Sequence, residues 1–421
     1  MACGSFEVPW DSGPDGGRDA FVAPDVAQPP DVGSDARHDA AADPGWVAVD
    51  GFDPRCNVQL ARVPQAASAS LVARACADAP GCRELLLPAG YIRIDGVANA
   101  TRWDTTANTG WFWWFNAPAA SVGRRPYVLS DAAGTTTAVV AVDDTHDCYP
   151  FQLGAGDGRF ALDIHPVDDP GGASVGTGLI AEPLSFTHIA TISATDMPNQ
   201  GTQYMPVGAD AIVLNTIAGA QLWHVTPTGA TTRLEWGGAA EHYVDDIQGD
   251  AVFTSELGAT TYVSVSIAGG AVTPLIVPAD GSDAFELATD GTNMVWQQGY
   301  GRLDAISYDH VEIWTAPYTT ERASVVPRRL AASGRANLHD QFDAYGVAVV
   351  DLVSTGTPPT DEHYQVVFLD GSPTRTLAMP PGRLMAPLFA GPEEVAMLVY
   401  SMGAAVEAVR FYRYDEIPLA H

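Results

Sequence analysis

Phe285-Glu286-Leu287-Ala288-Thr289-Asp290-Gly291-Thr292-Asn293-Met294-Val295-Trp296 reads as a strand, a glycine turn and a second strand. Beyond a longer loop, Val311-Glu312-Ile313-Trp314-Thr315-Ala316 reads as a third strand and Ser324-Val325-Val326-Pro327-Arg328-Arg329-Leu330 as a fourth. The same unit recurs. Tyr243-Val244, Gly249, Ala251-Val252-Phe253, Thr261-Tyr262-Val263-Ser264-Val265 and Thr273-Pro274-Leu275-Ile276-Val277 spell it one repeat earlier, and Gly346, Val347-Ala348-Val349-Val350, Tyr364-Gln365-Val366-Val367-Phe368 and Arg375-Thr376-Leu377 one repeat later. The anchoring glycines are Gly110, Gly158, Gly208, Gly249, Gly291, Gly346 and Gly391, spaced 48, 50, 41, 42, 55 and 45 apart. Short strands joined by tight turns at that period are the pattern of β-propeller blades. The expectation is an all-β fold, a seven-bladed β-propeller, with six blades as the alternative count.

The second strand of each unit is apolar on consecutive residues. Trp111-Phe112-Trp113-Trp114-Phe115 is aromatic throughout. A strand apolar on both faces is buried on both, as an inner strand between neighbouring blades would be. An aromatic platform for sugars or bases is the competing reading, and the core reading is preferred.

The last unit supplies Val395-Ala396-Met397-Leu398-Val399 and Val409-Arg410-Phe411-Tyr412-Arg413 but no outer strand. Cys82-Arg83-Glu84-Leu85-Leu86-Leu87-Pro88 has the character of the missing piece. Residues 84–87 are therefore expected to pair with 409–413 and zip the ring shut, removing two open sheet edges.

The Asp-Gly turn, apolar strand and Ile/Val-Trp/Tyr pattern resembles the TolB-type and WD40-like propellers of bacterial envelopes, over about 330 residues. The fifth repeat fits that resemblance well; the seventh has Gly391-Pro392-Glu393-Glu394 in place of Asp-Gly. No repeat shows the Ser-x-Asp-x-Gly-x-x-Trp box of sialidase-type propellers.

Of 421 residues, 46% are hydrophobic and 17% charged, and the 41 glycines and 31 prolines suit many turns. The net charge is −30, with every one of the 21 basic residues an arginine. Such acidity argues against nucleic acid, whose phosphates need a basic face, and against docking on anionic lipid. No apolar run approaches the roughly 18 residues that cross a bilayer.

Residues 1–45 carry nine acids and two arginines, with prolines at 14, 24, 29, 30 and 44. Few large apolar groups offset the ordering entropy, so a disordered acidic tether is expected. Cys3, after Ala2 and ahead of this tether, resembles the mature start of a bacterial lipoprotein. That resemblance implies lipidation of Cys3, a membrane link through the lipid alone, and an outer-membrane or surface address, with a periplasm-facing placement as the variant. Cys56, Cys76, Cys82 and Cys148 form an even set, read as two disulfides in an exported protein. Cys76 and Cys82 flank a turn-forming Ala-Asp-Ala-Pro-Gly loop, which leaves Cys56 for Cys148. Residues 46–81 are thus expected as a disulfide-stapled segment ahead of a propeller over 82–421.

Catalytic motifs are sparse. Gly172-Ala173-Ser174-Val175-Gly176 matches the nucleophile elbow formally but has no helical period after it, and His188 is near in sequence, which does not by itself make a triad. Asp143, Asp144 and Asp147, around His146, are weak candidates for calcium or another metal, with a solvated loop preferred. Asp245, Asp246 and Asp250 flank a strand, and Asp361-Glu362-His363 is placed in a proline-rich loop. His310-Val311-Glu312 has the His-x-Glu spacing of zinc deaminases without their second cysteine pair. Neither a phosphate-cradling loop nor a dinucleotide-binding glycine motif is present. No cofactor is expected, and a monomer is. The function read from the sequence is a non-enzymatic cell-envelope lipoprotein whose propeller loops bind a protein or glycan. The alternative is an exported hydrolase or lyase acting on polysaccharide or peptide.

Overall fold

The computed structural model describes residues 45–62, 71–87, 91–92, 103–104, 108–116, 125–143, 148–166, 168, 171–197, 202–216, 221–234, 241–257, 261–303, 307–332, 336–337, 343–345, 348–355, 361–380, 383–401 and 406–419. The tether and Cys3 lie outside them. Among the described residues the strands form seven antiparallel sheets. The fifth is typical: Asp283–Thr289 innermost, then Asn293–Arg302, Ser307–Pro317 and Arg328–Ala332. The second, third, fourth and sixth sheets repeat that order from Cys148–Gly156, Thr202–Tyr204, Glu241–Gln248 and Asp343–Tyr345.

Apolar clusters join the sheets in sequence. Leu129 and Trp113 meet Phe160 and Leu162 between the first and second sheets. Val175 meets Ile212, Val213 meets Val252, Phe253 meets Trp296, Val295 meets Val367, and Val366 meets Met397 around the following interfaces. Phe389 and Phe411 of the seventh sheet then meet Phe112 and Trp114 of the first. The architecture is a closed β-propeller.

The consecutive aromatics of the first sheet act as their pattern dictates. Successive side chains of a strand point to opposite faces. Trp113 therefore packs toward the second sheet while Trp114 packs toward the seventh, both fully buried. Each indole finds an acceptor: Trp113 Nε1 donates to the Gly154 carbonyl at 3.3 Å, and Trp114 Nε1 donates to Ser130 Oγ at 2.9 Å. One correction concerns position. Thr109–Asn116 is second from the axis, with Tyr91–Ile92 and Trp103–Asp104 paired along its inner side. The strands read as inner from sequence are second strands throughout, shielded from the channel by one further strand.

The repeat glycines serve two purposes. Gly158, Gly249 and Gly291 have φ of +75°, +61° and +80°, the left-handed turn conformation that glycine adopts without strain. Gly110 is needed for space: a Cβ there would lie 2.1 Å from the Phe389 ring.

The chain's first strands close the ring at its seam. Cys82–Leu86 pairs with Val406–Arg413, Leu85 opposite Val409 and Cys82 opposite Tyr412. It supplies the fourth strand of the last sheet, as its sequence led us to expect, and Val72–Ala75 adds a fifth outside it. Gln59–Ala61 and Trp46–Ala48 extend the outer side of the first sheet. Cys56 is bonded to Cys148 and Cys76 to Cys82. The C-terminal residues cover another edge: Thr376 N–H donates to the Pro418 carbonyl at 2.9 Å, and Arg375 bridges to Leu419.

A buried ion cluster locks the closing strand. Arg410, 3% exposed, lies 3.3 Å from Glu84 and 3.0 Å from Asp78, while Arg74 donates to Glu84 at 2.6 Å. Arg83, on the same strand, reaches Glu394 at 2.6 Å and stacks over Phe411. Removing one partner of a buried pair strands the other charge, so Arg410→Ala should lower unfolding stability by about 3–5 kcal/mol. Arg410→Met combined with Glu84→Leu should recover most of it, because the remaining Asp78 and Arg74 reach solvent. Urea unfolding of the three proteins checks this, and equal stability of single and double variants would refute it.

Candidate functional site

Several innermost strands are irregular. The register slips between Pro150 and Gln152, Val244 and Asp246, Phe285 and Ala288, and Pro387 and Phe389. Such bulges tighten the twist and re-aim side chains. In the fourth and fifth sheets they turn Asp245 and Glu286 into the protein. Ser255 Oγ lies 2.9 and 2.8 Å from the two Asp245 oxygens and accepts from the Glu286 N–H at 2.9 Å. Gln297 Nε2 donates to Glu286 Oε2 at 3.1 Å. Glu286 holds φ +52° while 3% exposed, a left-handed conformation costing a non-glycine residue of order 1 kcal/mol or more. Burial pushes the Asp245 carboxyl up to about 6.

A second polar system occupies the upper end of the crevice between the fourth and fifth sheets, where the innermost strands begin. The face of the fifth sheet there is graded. Met294, Trp296 and Ala316 lie against Phe253, Val263 and Leu275 of the fourth sheet. Strand alternation puts Gln298 and Tyr300 next on that face, opposite Glu312 and His310. The ring planes of Tyr300 and His310 stack, 4.7 Å apart and 4° from parallel, with His310 exposed. Gln298 Nε2 donates to Ser282 Oγ at 2.7 Å and to the Tyr300 hydroxyl at 2.9 Å, and Ser282 Oγ donates to Asp280 at 2.5 Å. Glu312 accepts from Arg329 at 2.7 Å and from Trp314 Nε1 at 3.1 Å. Burial raises the Glu312 carboxyl, but the bonds from Arg329 and Tyr300 outweigh it and leave it below its usual range. Burial and the bond to Glu312 push the Tyr300 phenol up to about 12. Alongside, Asp283 accepts from Arg302 at 2.8 Å and from the Thr261 N–H at 2.6 Å, tying the two sheets together at that rim.

The residues singled out from sequence fare differently. Ser174 lies within the strand Ala173–Leu179, followed by a turn and another strand, so no elbow forms. It does meet acid and imidazole: Asp163 Oδ1 accepts from the Ser174 N–H at 2.7 Å and lies 3.3 Å from His165 Nδ1. The carboxylate, rather than the imidazole, is the serine's neighbour, which is the wrong order for a nucleophilic triad. His188 stands on the neighbouring strand opposite Gly176, half-buried, with its ring edge against Phe52 and its Nε2 3.0 Å from Thr191 Oγ1. Asp143 donates its N–H to the Cys56 carbonyl at 2.8 Å; Asp144 and Asp147 lie outside the described residues. Among the described residues no group of three or more His, Cys, Asp or Glu is placed to hold a metal. Asp361-Glu362-His363 stands in a strand, Asp361–Phe368, rather than in the loop expected from its prolines. His310 and Glu312 share a strand face without cysteines near them in sequence. The sequence reading passed over Tyr300, Gln298 and Arg329; the alternation of Trp296, Gln298 and Tyr300 was the available signal.

No family model matches the chain, and no curated protein does. Solved structures share its fold. The β-propeller domain of the Trilobed protease from Pyrococcus furiosus aligns over 77% of this chain and 94% of its own, at 7% identity and a TM-score of 0.47. A catalytically inactive virginiamycin B lyase from Staphylococcus aureus, with quinupristin, aligns over 78% and 98% at 11% identity and a TM-score of 0.45. YCF48 bound to D1 peptide aligns over 82% and 98% at 11% identity and a TM-score of 0.44. The likeness is one of fold alone.

The raised Asp245 carboxyl has a measurable consequence. A folded-state value above the unfolded one means the folded protein holds this proton more tightly. The resulting stability is fully present below about pH 4 and is lost as pH rises through about 6, some 3 kcal/mol in all. Asp245→Asn should therefore flatten the difference in melting temperature between pH 4.5 and 7.5 relative to wild type. An unchanged difference would show that Asp245 titrates normally.

Proposed function

We propose that this protein is an exported, lipid-anchored propeller that binds a protein or glycan without transforming it, at the upper end of the crevice between the fourth and fifth sheets. In this reading each of the seven sheets is a blade. Six remains the alternative count; seven is favoured by the cores that the sheet containing Thr109–Asn116 shares with both neighbours. The two disulfides favour an oxidising compartment, and Cys3 with its acidic tether supplies the anchor.

The observation that carries the non-catalytic reading is the state of Glu312. A general acid or base needs a pKa near the working pH and an open side toward substrate. Glu312 is bound by Arg329 and Trp314 and lies below the usual range. Its neighbours Tyr300 and Gln298 are bonded within the same network. Such a constellation is built to present fixed hydrogen-bonding groups and an aromatic surface. The second reading, a hydrolase or lyase, draws on Asp245, whose carboxyl at about 6 is suited to proton transfer. That group, however, is 6% exposed and bonded to Ser255.

Two measurements test the proposal. Incubation of the full chain with polysaccharide and peptide panels should yield no new reducing ends or amines; turnover abolished by Glu312→Gln or Asp245→Asn would overturn it. Expression with its natural upstream region in a lipoprotein-processing host should give a diacylglycerol mass increment that Cys3→Ser removes. An unmodified Cys3 would remove the anchor from the model.

A further inference from the structure

The crevice described above has chemistry specific enough to name its ligand class, an inference that rests on the binding reading. Four observations converge. His310 is exposed and lies flat on Tyr300, so a planar aromatic surface is held rigidly at the crevice mouth. Polar groups beside it are already oriented: Asp280 by Ser282, Gln298 by Ser282 and Tyr300, and Glu312 by Arg329 and Trp314. The carboxylates of Asp280 and Glu312 stand against Arg329, in a chain of net charge −30. Finally, Trp296, 1% exposed and one step below Gln298 on the same face, has a buried indole N–H with no hydrogen-bond partner. A buried donor left unpaired is costly, so an oxygen at that depth would be well received.

A flat aromatic ring flanked by fixed carboxylate and amide groups suits a molecule with C–H bonds on one face and hydroxyls around its edge. The acidic surroundings disfavour phosphates, sulfates and uronates. Glu312 is compensated by Arg329, which removes the bare negative charge that a cationic peptide would seek. We propose that the upper crevice between the fourth and fifth sheets is a binding site for a neutral sugar, its ring lying on His310 and its hydroxyls meeting Asp280.

The test uses the full chain and follows tryptophan fluorescence and calorimetry. The probes are cellohexaose, maltoheptaose and chitohexaose, with polygalacturonate and hexa-arginine as the anionic and peptide comparisons. Saturable binding of at least one neutral oligosaccharide below about 10 mM is expected. His310→Ala should weaken it about tenfold and Tyr300→Phe, which keeps the stack, by about threefold or less, with melting temperatures unchanged. Asp280→Asn should also weaken it, which guards against a packing effect of the aromatic substitution. Failure of all three neutral sugars to saturate overturns the proposal. Sugar binding indifferent to His310→Ala and Asp280→Asn also overturns this site while leaving a glycan-binding protein. Stronger, His310-dependent binding of hexa-arginine or polygalacturonate overturns the ligand class while leaving the crevice as the binding surface. Release of new reducing ends from any bound oligosaccharide would instead defeat the non-catalytic reading itself.

Discussion

A propeller is only as continuous as its seam, and here the seam depends on pairing one strand from the beginning of the fold with one from its end. Leu85 faces Val409 in that pairing, and Glu84 faces Arg410. The strand between Cys82 and Leu86 completes a sheet whose three inner strands, Arg383–Ala390, Glu394–Ser401 and Val406–Arg413, arrive about 300 residues later in the sequence. Its contribution is twofold. Leu85 joins the core formed with Phe112, Trp114, Phe389 and Phe411, and Glu84 brings Arg410 a countercharge where solvent cannot. Loop-closure entropy opposes so distant a contact. The Cys76–Cys82 bond reduces the freedom of the closing hairpin, and Cys56–Cys148 fastens the preceding segment to the second sheet. The Phe52 ring packed near Phe186 continues that fastening across the outer surface.

The closed ring in turn dictates where polarity can sit. Second strands are covered on both faces by neighbouring sheets, hence Trp113 and Trp114 on opposite sides of one strand. The innermost strands must converge on the axis, and they do so through bulges. Polar side chains carried by those bulges are either satisfied internally, as Asp245 is by Ser255, or forced into unusual backbone, as at Glu286. Toward the upper rim the face of the fifth sheet changes from Trp296 and Met294 to Gln298, Tyr300, Glu312 and His310. The same radial geometry that makes the core therefore leaves a chemically mixed face above it, with His310 exposed at its end.

Much of the fold was legible because it is repetitive and because each repeat obeys local rules. Positive φ at Gly158, Gly249 and Gly291 explains why glycine recurs at the turns. Consecutive apolar residues announced strands buried on both faces. The missing outer strand after Arg413 could be matched to residues 84–87 because an unpaired edge needs a partner. The site was far less legible. Short motifs drew the eye to Ser174 and to the run beginning at Asp143, yet Ser174 lies in a strand with Asp163 beside its backbone. Tyr300 and His310 are ten residues apart in sequence and become neighbours only because the hairpin pairs them.

The amino-acid order alone determined the class of strand, the turn positions, the cysteine partners most compatible with a short loop, and the segment able to close the ring. These follow from steric limits on glycine, from side-chain alternation and from the burial of apolar faces, all of which act within a few residues or through simple complementarity. Only the tertiary structure decided which strand faces the axis, which acids are buried, and which polar groups meet across the fourth and fifth sheets. Those outcomes depend on register between strands and on which neighbour covers a face, and a shift of a single residue would have sent Gln298 and Tyr300 to the other side.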